Sequence, residues 1–418
     1  MHLKVFKNTV LFFVLMVISC GNNPKEHHMQ DQHKLIVKNE DNRIVVGANR
    51  LQQYLPELKG KRVGIVANQT SVIFKDKNHK DQDVTYTHLV DSLLALDVNI
   101  KHVFSPEHGF RGTADAGELV KDGVDTKTGL PIFSLHGKHK KPAKDQLEYI
   151  DVMVFDIQDV GVRFYTYIST LHYVMEACAE HKIPLIILDR PNPNGNYVDG
   201  PVLEAKHKSF LGMHPIPLVH GMTIGEYAHM INGENWLNDG IQCTIKVIEL
   251  INYTHQSSYS LPIRPSPNLP NDQAITLYPS LGLFEGTNIN AGRGTEYQFQ
   301  RYGAPFLDKN HYTFSYTPVA NFGSKYPKHE NTTCYGEDLS SISVKRELTL
   351  KFVIDAYKNA VDKSKVFNTD NFTKHAGTES LQQQIEAGLS EAEIKSTWRE
   401  GLLNYKVKRA KYLLYPEN

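Results

Sequence analysis

Five stretches of this chain are short, almost unbroken runs of apolar residues: 61–68 (KRVGIVAN), 99–104 (NIKHVF), 149–157 (YIDVMVFDI), 183–190 (IPLIILDR) and 243–250 (CTIKVIEL). A strand that is apolar at nearly every position must be covered on both faces, and a parallel sheet with helices packed on each side supplies that cover. Segments with helical spacing lie between the runs. Residues 87–97 place Leu89, Leu93 and Leu94 on one face, residues 165–181 form a long apolar helix, and 223–232 opens with Thr223 and Glu226 as a capping box. The alternation predicts an α/β fold with a Rossmann-like parallel sheet.

Beyond residue 258 the texture changes. Residues 261–305 are dense in Pro, Gly and Asn and read as loop with short strands, and ordered loops of that length tend to be functional. Helical patterns return at 349–360 and at 390–415, the latter starting from a Ser390/Glu393 capping box with Trp398 and Leu402 on one face. At the other end, basic residues, an apolar run over 10–18 and the ending VISC at 17–20 read as a secretion signal with a lipidation site at Cys20. The polar, aperiodic residues 21–42 read as a tether, so a membrane attachment through a lipid anchor is expected, facing the periplasm.

Composition narrows the chemistry. Lys plus Arg and Asp plus Glu both number 46, which gives no basic excess for nucleic acid. The 20 histidines show no HExxH and the 4 cysteines no paired CxxC, so no metal site is expected; Cys178, Cys243 and Cys334 read as buried thiols. No GxGxxG follows the first strand, and 292–296 (GRGTE) lacks P-loop spacing, so no nucleotide cofactor is expected.

The polar residues sit where such a sheet binds ligands, at the carboxyl ends of the strands. Asn68 and Gln69 follow the first run. Residues 105–112 (SPEHGFRG), with Glu107, His108 and Arg111, follow the second. Asp156, Gln158, Asp159, Arg163 and Tyr165 follow the third, and Asp189, Arg190, Asn192 and Asn194 follow the fourth. A set of carboxylates, amides and aromatics would repel a pyrophosphate and suits a sugar, whose glycosidic oxygen needs a carboxylic acid to protonate it.

The motifs FSPEHGFRGTADAGE, VFDIQDVGVRFYTYISTL, LDRPNPNG, GPVLE, PLVHGMTIGE, PSPNLP and LYPSLGLFEGTNINAGRGT, in that order, resemble the NamZ family of bacterial exo-β-N-acetylmuramidases, long listed as a domain of unknown function. The resemblance runs from about residue 43 to the end. It implies release of N-acetylmuramic acid (MurNAc) from non-reducing ends of peptidoglycan fragments. It also implies a Rossmann-like catalytic domain (43–258) and a smaller α+β domain (259–418) that completes the cleft. The family's catalytic glutamate falls on Glu107, with Asp156 and Asp159 as carboxylates that would raise its pKa. Arg163 and Arg293 are chosen to grip the lactyl carboxylate of MurNAc, a structural ion pair being the alternative for either. His108, His220, Tyr165, Asn268, Glu285 and Asn288 lie in matching motifs and are expected to bind substrate, with Asn68, Gln69, Asp189 and Asn192 at the strand ends. A non-catalytic glycan-binding lipoprotein is the alternative function.

Overall fold

A computed structural model describes residues 42–75, 85–112, 122–343 and 345–418. Twelve strands lie among them. They are β1 (Val63–Ala67), β2 (Val72–Phe74), β3 (Tyr86–His88), β4 (Ile100–Ser105), β5 (Gly123–Val124), β6 (Pro131–Ser134), β7 (Val152–Asp156), β8 (Leu185–Leu188), β9 (Ile245–Ile248), β10 (Arg301–Ala304), β11 (Phe314–Tyr316) and β12 (Cys334–Asp338). Seven form one sheet in the order β5-β6-β4-β1-β7-β8-β9. All neighbours in it are parallel except β5, which runs antiparallel to β6. Taken in chain order, the six parallel strands stand as 3-2-1-4-5-6, the order of a doubly wound dinucleotide-binding sheet.

The order follows from the apolar pattern. β1 and β7 are buried at every residue, as the two central strands of a sheet covered on both faces must be. One core cluster joins Leu171 and Met175 of the helix Tyr167–His181 to Phe155 and Ile187 of the sheet, and a second packs Ile65, Leu93 and Val103 on the opposite face. Burying each such side chain is worth about 1.5–3 kcal/mol. The Thr223/Glu226 and Ser390/Glu393 capping boxes are both formed, and Cys178, Cys243 and Cys334 are buried free thiols.

Two expectations fail after residue 258. Residues Asp272–Leu281, within the stretch expected to be loop, form an α-helix capped by Asn271, whose side chain accepts from the Ala274 amide; a 3-10 turn, Gly282–Gly286, follows. Pro279 lies inside that helix near its end, where a tightening backbone tolerates a missing N–H. The C-terminal pattern is two helices, Glu391–Ser396 and Arg399–Arg409, and the chain turns between them at Trp398, which is buried. β10, β12 and β11 form a small antiparallel sheet.

Candidate active site

Switch points between adjacent strands whose connections run opposite ways open a crevice at the carboxyl edge, and in this sheet that point lies between β1 and β7. The loop after β4 turns sharply there. The Gly109 amide bonds the Pro106 carbonyl at 3.1 Å, and the central His108 adopts a left-handed φ of 71°. A non-glycine residue in that region is strained, and strain of this kind collects at functional sites. The turn sets Glu107 beside Thr166, at the start of the helix Tyr167–His181, whose hydroxyl donates to a Glu107 carboxylate oxygen at 2.8 Å.

Glu107 and His108 line a cavity of about 120 Å³ with Tyr165, Asn268, Glu285 and Arg293. One carbonyl ties together the loops around it. Pro265 accepts from Tyr165 (2.7 Å) and Gln69 (3.0 Å), which pins the Pro-rich loop to the ends of β1 and β7. Asn268 is buried; its amide nitrogen donates to the Gly323 carbonyl at 2.7 Å, while its side-chain oxygen accepts no hydrogen bond among the described residues. Glu285 pairs with Arg293 at 2.8 Å. Burial opposes the charge on Glu285, but Arg293, Lys328 and His375 outweigh it and hold the carboxyl below its ordinary pKa. The Lys328 ammonium in turn donates to the carbonyls of Phe284, Glu285 and Thr287. Tyr278 also lines the cavity; burial raises its phenol pKa, and the charges of Glu285 and Glu107 raise it further.

The remaining residues named from sequence lie elsewhere. Asp156 is wholly buried in a two-point ion pair with Arg190 (2.6 and 2.8 Å), which clamps the ends of β7 and β8. Asp159 accepts from the Gly161 amide at 2.7 Å and lies 3.3 Å from His220; both are buried behind the cavity wall. Asp189 caps the helix Ile224–Gly233 through Thr223 and Gly225 and receives the Tyr415 hydroxyl at 2.6 Å; burial pushes its pKa up to about 6. Asn192 bonds Met222 and Asn194. Asn68 is buried, its oxygen capping Thr70. Asn288 is exposed and bonds the Lys365 carbonyl. Arg163 is wholly buried, its guanidinium donating to four backbone carbonyls. Cys20 lies outside the described residues.

Sequence reasoning missed Thr166, Ser266, Tyr278, Phe299 and His375, all of which line the cavity. Thr166 had a signal, a hydroxyl at a helix start directly after the polar strand end; the others come from separate segments that only the tertiary fold unites. Among the described residues, no three His, Cys, Asp or Glu side chains converge as a metal-ligand group.

A doubly wound sheet whose carboxyl edge holds a carboxylate beside an aromatic-walled polar cavity has the makings of a glycoside hydrolase. Residues 63–273 match the family described as exo-beta-N-acetylmuramidase NamZ, N-terminal, and residues 276–415 match its C-terminal counterpart. The peptidoglycan beta-N-acetylmuramidase NamZ of Bacillus subtilis (strain 168) is 38% identical over 386 residues, 87% of this chain and 89% of that protein. Two crystal structures of DUF1343 family proteins from Bacteroides fragilis NCTC 9343 have the same fold. One is 44% identical with a TM-score of 0.80 over 90% of this chain and 100% of that one; the other is 28% identical with a TM-score of 0.74, over 89% and 99%. The chain belongs to the NamZ family of exo-β-N-acetylmuramidases.

Proposed function

We propose that this protein is an exo-acting glycoside hydrolase that removes MurNAc from the non-reducing ends of peptidoglycan fragments, with Glu107 as its acid. The observation that carries the assignment of Glu107 is its position: it lines the same small cavity as the Glu285–Arg293 pair and follows a strand end of the sheet. Thr166 fixes one of its oxygens, so the carboxyl is held for proton delivery to the glycosidic oxygen. Asp156 is committed to Arg190 and does not line the cavity, so its role is structural. Asp159 and His220 brace the wall from behind. Arg293 holds the lactyl carboxylate, and the free oxygen of Asn268 accepts from a sugar hydroxyl or the acetamido N–H. Residues 259–418 act as a second domain that completes the cleft, supported by the cavity walls they supply: Asn268, Tyr278, Glu285, Arg293 and His375.

The test is Glu107→Gln, assayed on MurNAc–GlcNAc (GlcNAc, N-acetylglucosamine) and on an aryl β-MurNAc glycoside. General acid catalysis contributes about two to four orders of magnitude, so kcat on the natural glycan should fall at least about a hundredfold. The aryl substrate, with its better leaving group, should lose less. Near-native kcat on both would remove Glu107 from the mechanism.

The protein acts in the cell envelope. No helix among the described residues is long and apolar enough to cross the membrane, and attachment is assigned to a lipid on Cys20, supported by the VISC ending and the polar stretch that follows. Cys20→Ala should move the protein from the membrane pellet to the soluble fraction; unchanged partitioning would exclude the anchor.

A further inference from the structure

The sequence HGKHKKPAK at 136–144 carries Lys138, Lys140, Lys141 and Lys144 without an acidic residue, and its chemistry has no part in the cavity. The fold brings it near a second basic segment, Lys206 to Lys208: the charges of Lys141 and Lys208 both act on His172. Lys140 stands over the Phe210 ring, 4.7 Å from its centroid, and Phe210 stacks on Tyr173 with centroids 6.2 Å apart and planes 20° from parallel. Both rings are half-buried. Some of the positive charge is neutralised: Lys141 pairs with Glu176 and Glu180, and Lys206 with Glu204 and Glu379. Lys138, Lys140 and Lys208 have no carboxylate partner among the described residues, and Lys138 and Lys208 are exposed.

This patch is joined to the candidate acid by a single helix. Thr166 bonds Glu107, Ser169 donates to the Phe210 carbonyl at 2.8 Å, and Tyr173 stacks on Phe210. Positions 166, 169 and 173 fall on one helical face, and seven residues advance about 10 Å along the axis. Leu211, next to Phe210, lines the cavity itself. The stripe therefore leaves the cavity on the side of Glu107, where a general acid must face the departing sugar. A neighbouring groove of about 610 Å³ is lined by Lys206, Lys208 and Lys374 but also by Asp370, Glu379 and Glu386, a balanced set that favours no anion.

We propose that the Phe210–Tyr173 rings with Lys140 and Lys208 form a subsite for the leaving part of the glycan strand. The inference rests on the proposed muramidase reading. A strand freed of peptides alternates neutral GlcNAc with anionic MurNAc. The first departing ring packs on the aromatic pair, as sugar faces do on partly buried rings, and the lactyl carboxylate of the next MurNAc meets the unpaired ammonium groups. The site thus selects strands that still carry a further MurNAc over the terminal disaccharide.

The experiment compares the disaccharide MurNAc–GlcNAc with the tetrasaccharide (MurNAc–GlcNAc)₂ in the native protein, in Lys140→Glu/Lys208→Glu and in Lys140→Arg/Lys208→Arg. Turnover is followed in these proteins, and calorimetric binding in the same proteins carrying Glu107→Gln. Two ion pairs, one to half-buried Lys140 and one to exposed Lys208, predict a preference of about tenfold for the tetrasaccharide in KM and in binding. The Glu pair should abolish it, the Arg pair should keep it, and added salt should erode it. Equal affinity for the two oligosaccharides in the native background, or a preference untouched by the Glu pair, overturns the subsite. Absence of turnover with the binding preference intact would refute the hydrolase reading and leave the subsite standing.

Discussion

Arg163 follows a strand end in a polar loop, where a cation for the substrate carboxylate was expected, yet its guanidinium faces protein. One nitrogen donates to the carbonyls of Pro201 and Ile216, both at 2.8 Å, and the other to His375 (3.1 Å) and Ala376 (2.6 Å). Gly377 is left-handed there, and a Cβ on it would fall 2.4 Å from the guanidinium. Burial drives the pKa from 12.5 down to about 9, a cost to the charged form of about 5 kcal/mol. Four hydrogen bonds from a charged donor contribute about 1.5–3 kcal/mol each, or about 6–12 kcal/mol together. The bonds therefore outweigh the burial, by roughly 4 kcal/mol near the middle of the range. Arg163→Met removes the charge and the bonds together and should lose about that much stability, a fall of roughly 5–10 °C in Tm. The assay is thermal unfolding, paired with KM on an aryl MurNAc glycoside measured well below the transition. Arg163→Lys, reaching fewer of the carbonyls, should lie between. A variant with native Tm and a tenfold higher KM would refute this reasoning and return Arg163 to the substrate.

Arg293→Gln should raise KM for a MurNAc glycoside by about tenfold and change the GlcNAc analogue far less, because only the former carries a carboxylate; equal losses would exclude carboxylate binding. His88 is held neutral chiefly by burial, which depresses its pKa to about 4 against the opposing bond to the Asn68 carbonyl. The native state thus binds fewer protons than the unfolded chain, so the stability His88 contributes is intact above about pH 6.5 and is lost as pH falls through 4, about 3 kcal/mol in all. Tm measured from pH 7 to 4.5 should fall less steeply in His88→Gln than in the native protein; parallel curves would refute the assignment.

The sheet was legible because its chemistry is local. A strand covered on both faces is apolar at nearly every successive residue, and Val63–Ala67 and the first four residues of Val152–Asp156 show that without reference to anything distant. The helix Asp272–Leu281 was not legible, because Pro279 and the flanking Pro and Asn residues carry a loop signature that burial of Ile275, Leu277 and Leu281 overrides. Charged residues at strand ends were the harder case. Asp156, Arg163 and Asp189 stand where a ligand-binding residue would stand, and nothing in their neighbours in sequence separates them from Glu107. What separates them is partners 34 to 226 residues away: Arg190 for Asp156, four carbonyls for Arg163, Tyr415 for Asp189.

That difference carries a physical criterion for reading such a site. A buried charge that serves the fold has most of its hydrogen-bonding capacity spent on the protein, because an unpaired one would cost several kcal/mol; of the Arg163 guanidinium nitrogens only Nε lacks a partner among the described residues. Asp156 spends both oxygens on Arg190, and Asp189 spends both on Thr223, Gly225, Tyr415 and its neighbour's amide. Two departures from local rules, the left-handed backbone of His108 and the buried Asn268 oxygen that has no partner among the described residues, both border the cavity. The strained turn and the open acceptor border the same cavity as Glu107, Glu285 and Arg293. On the proposed reading a bound sugar would use both, the turn aiming the acid and the amide oxygen taking a donor from the ring.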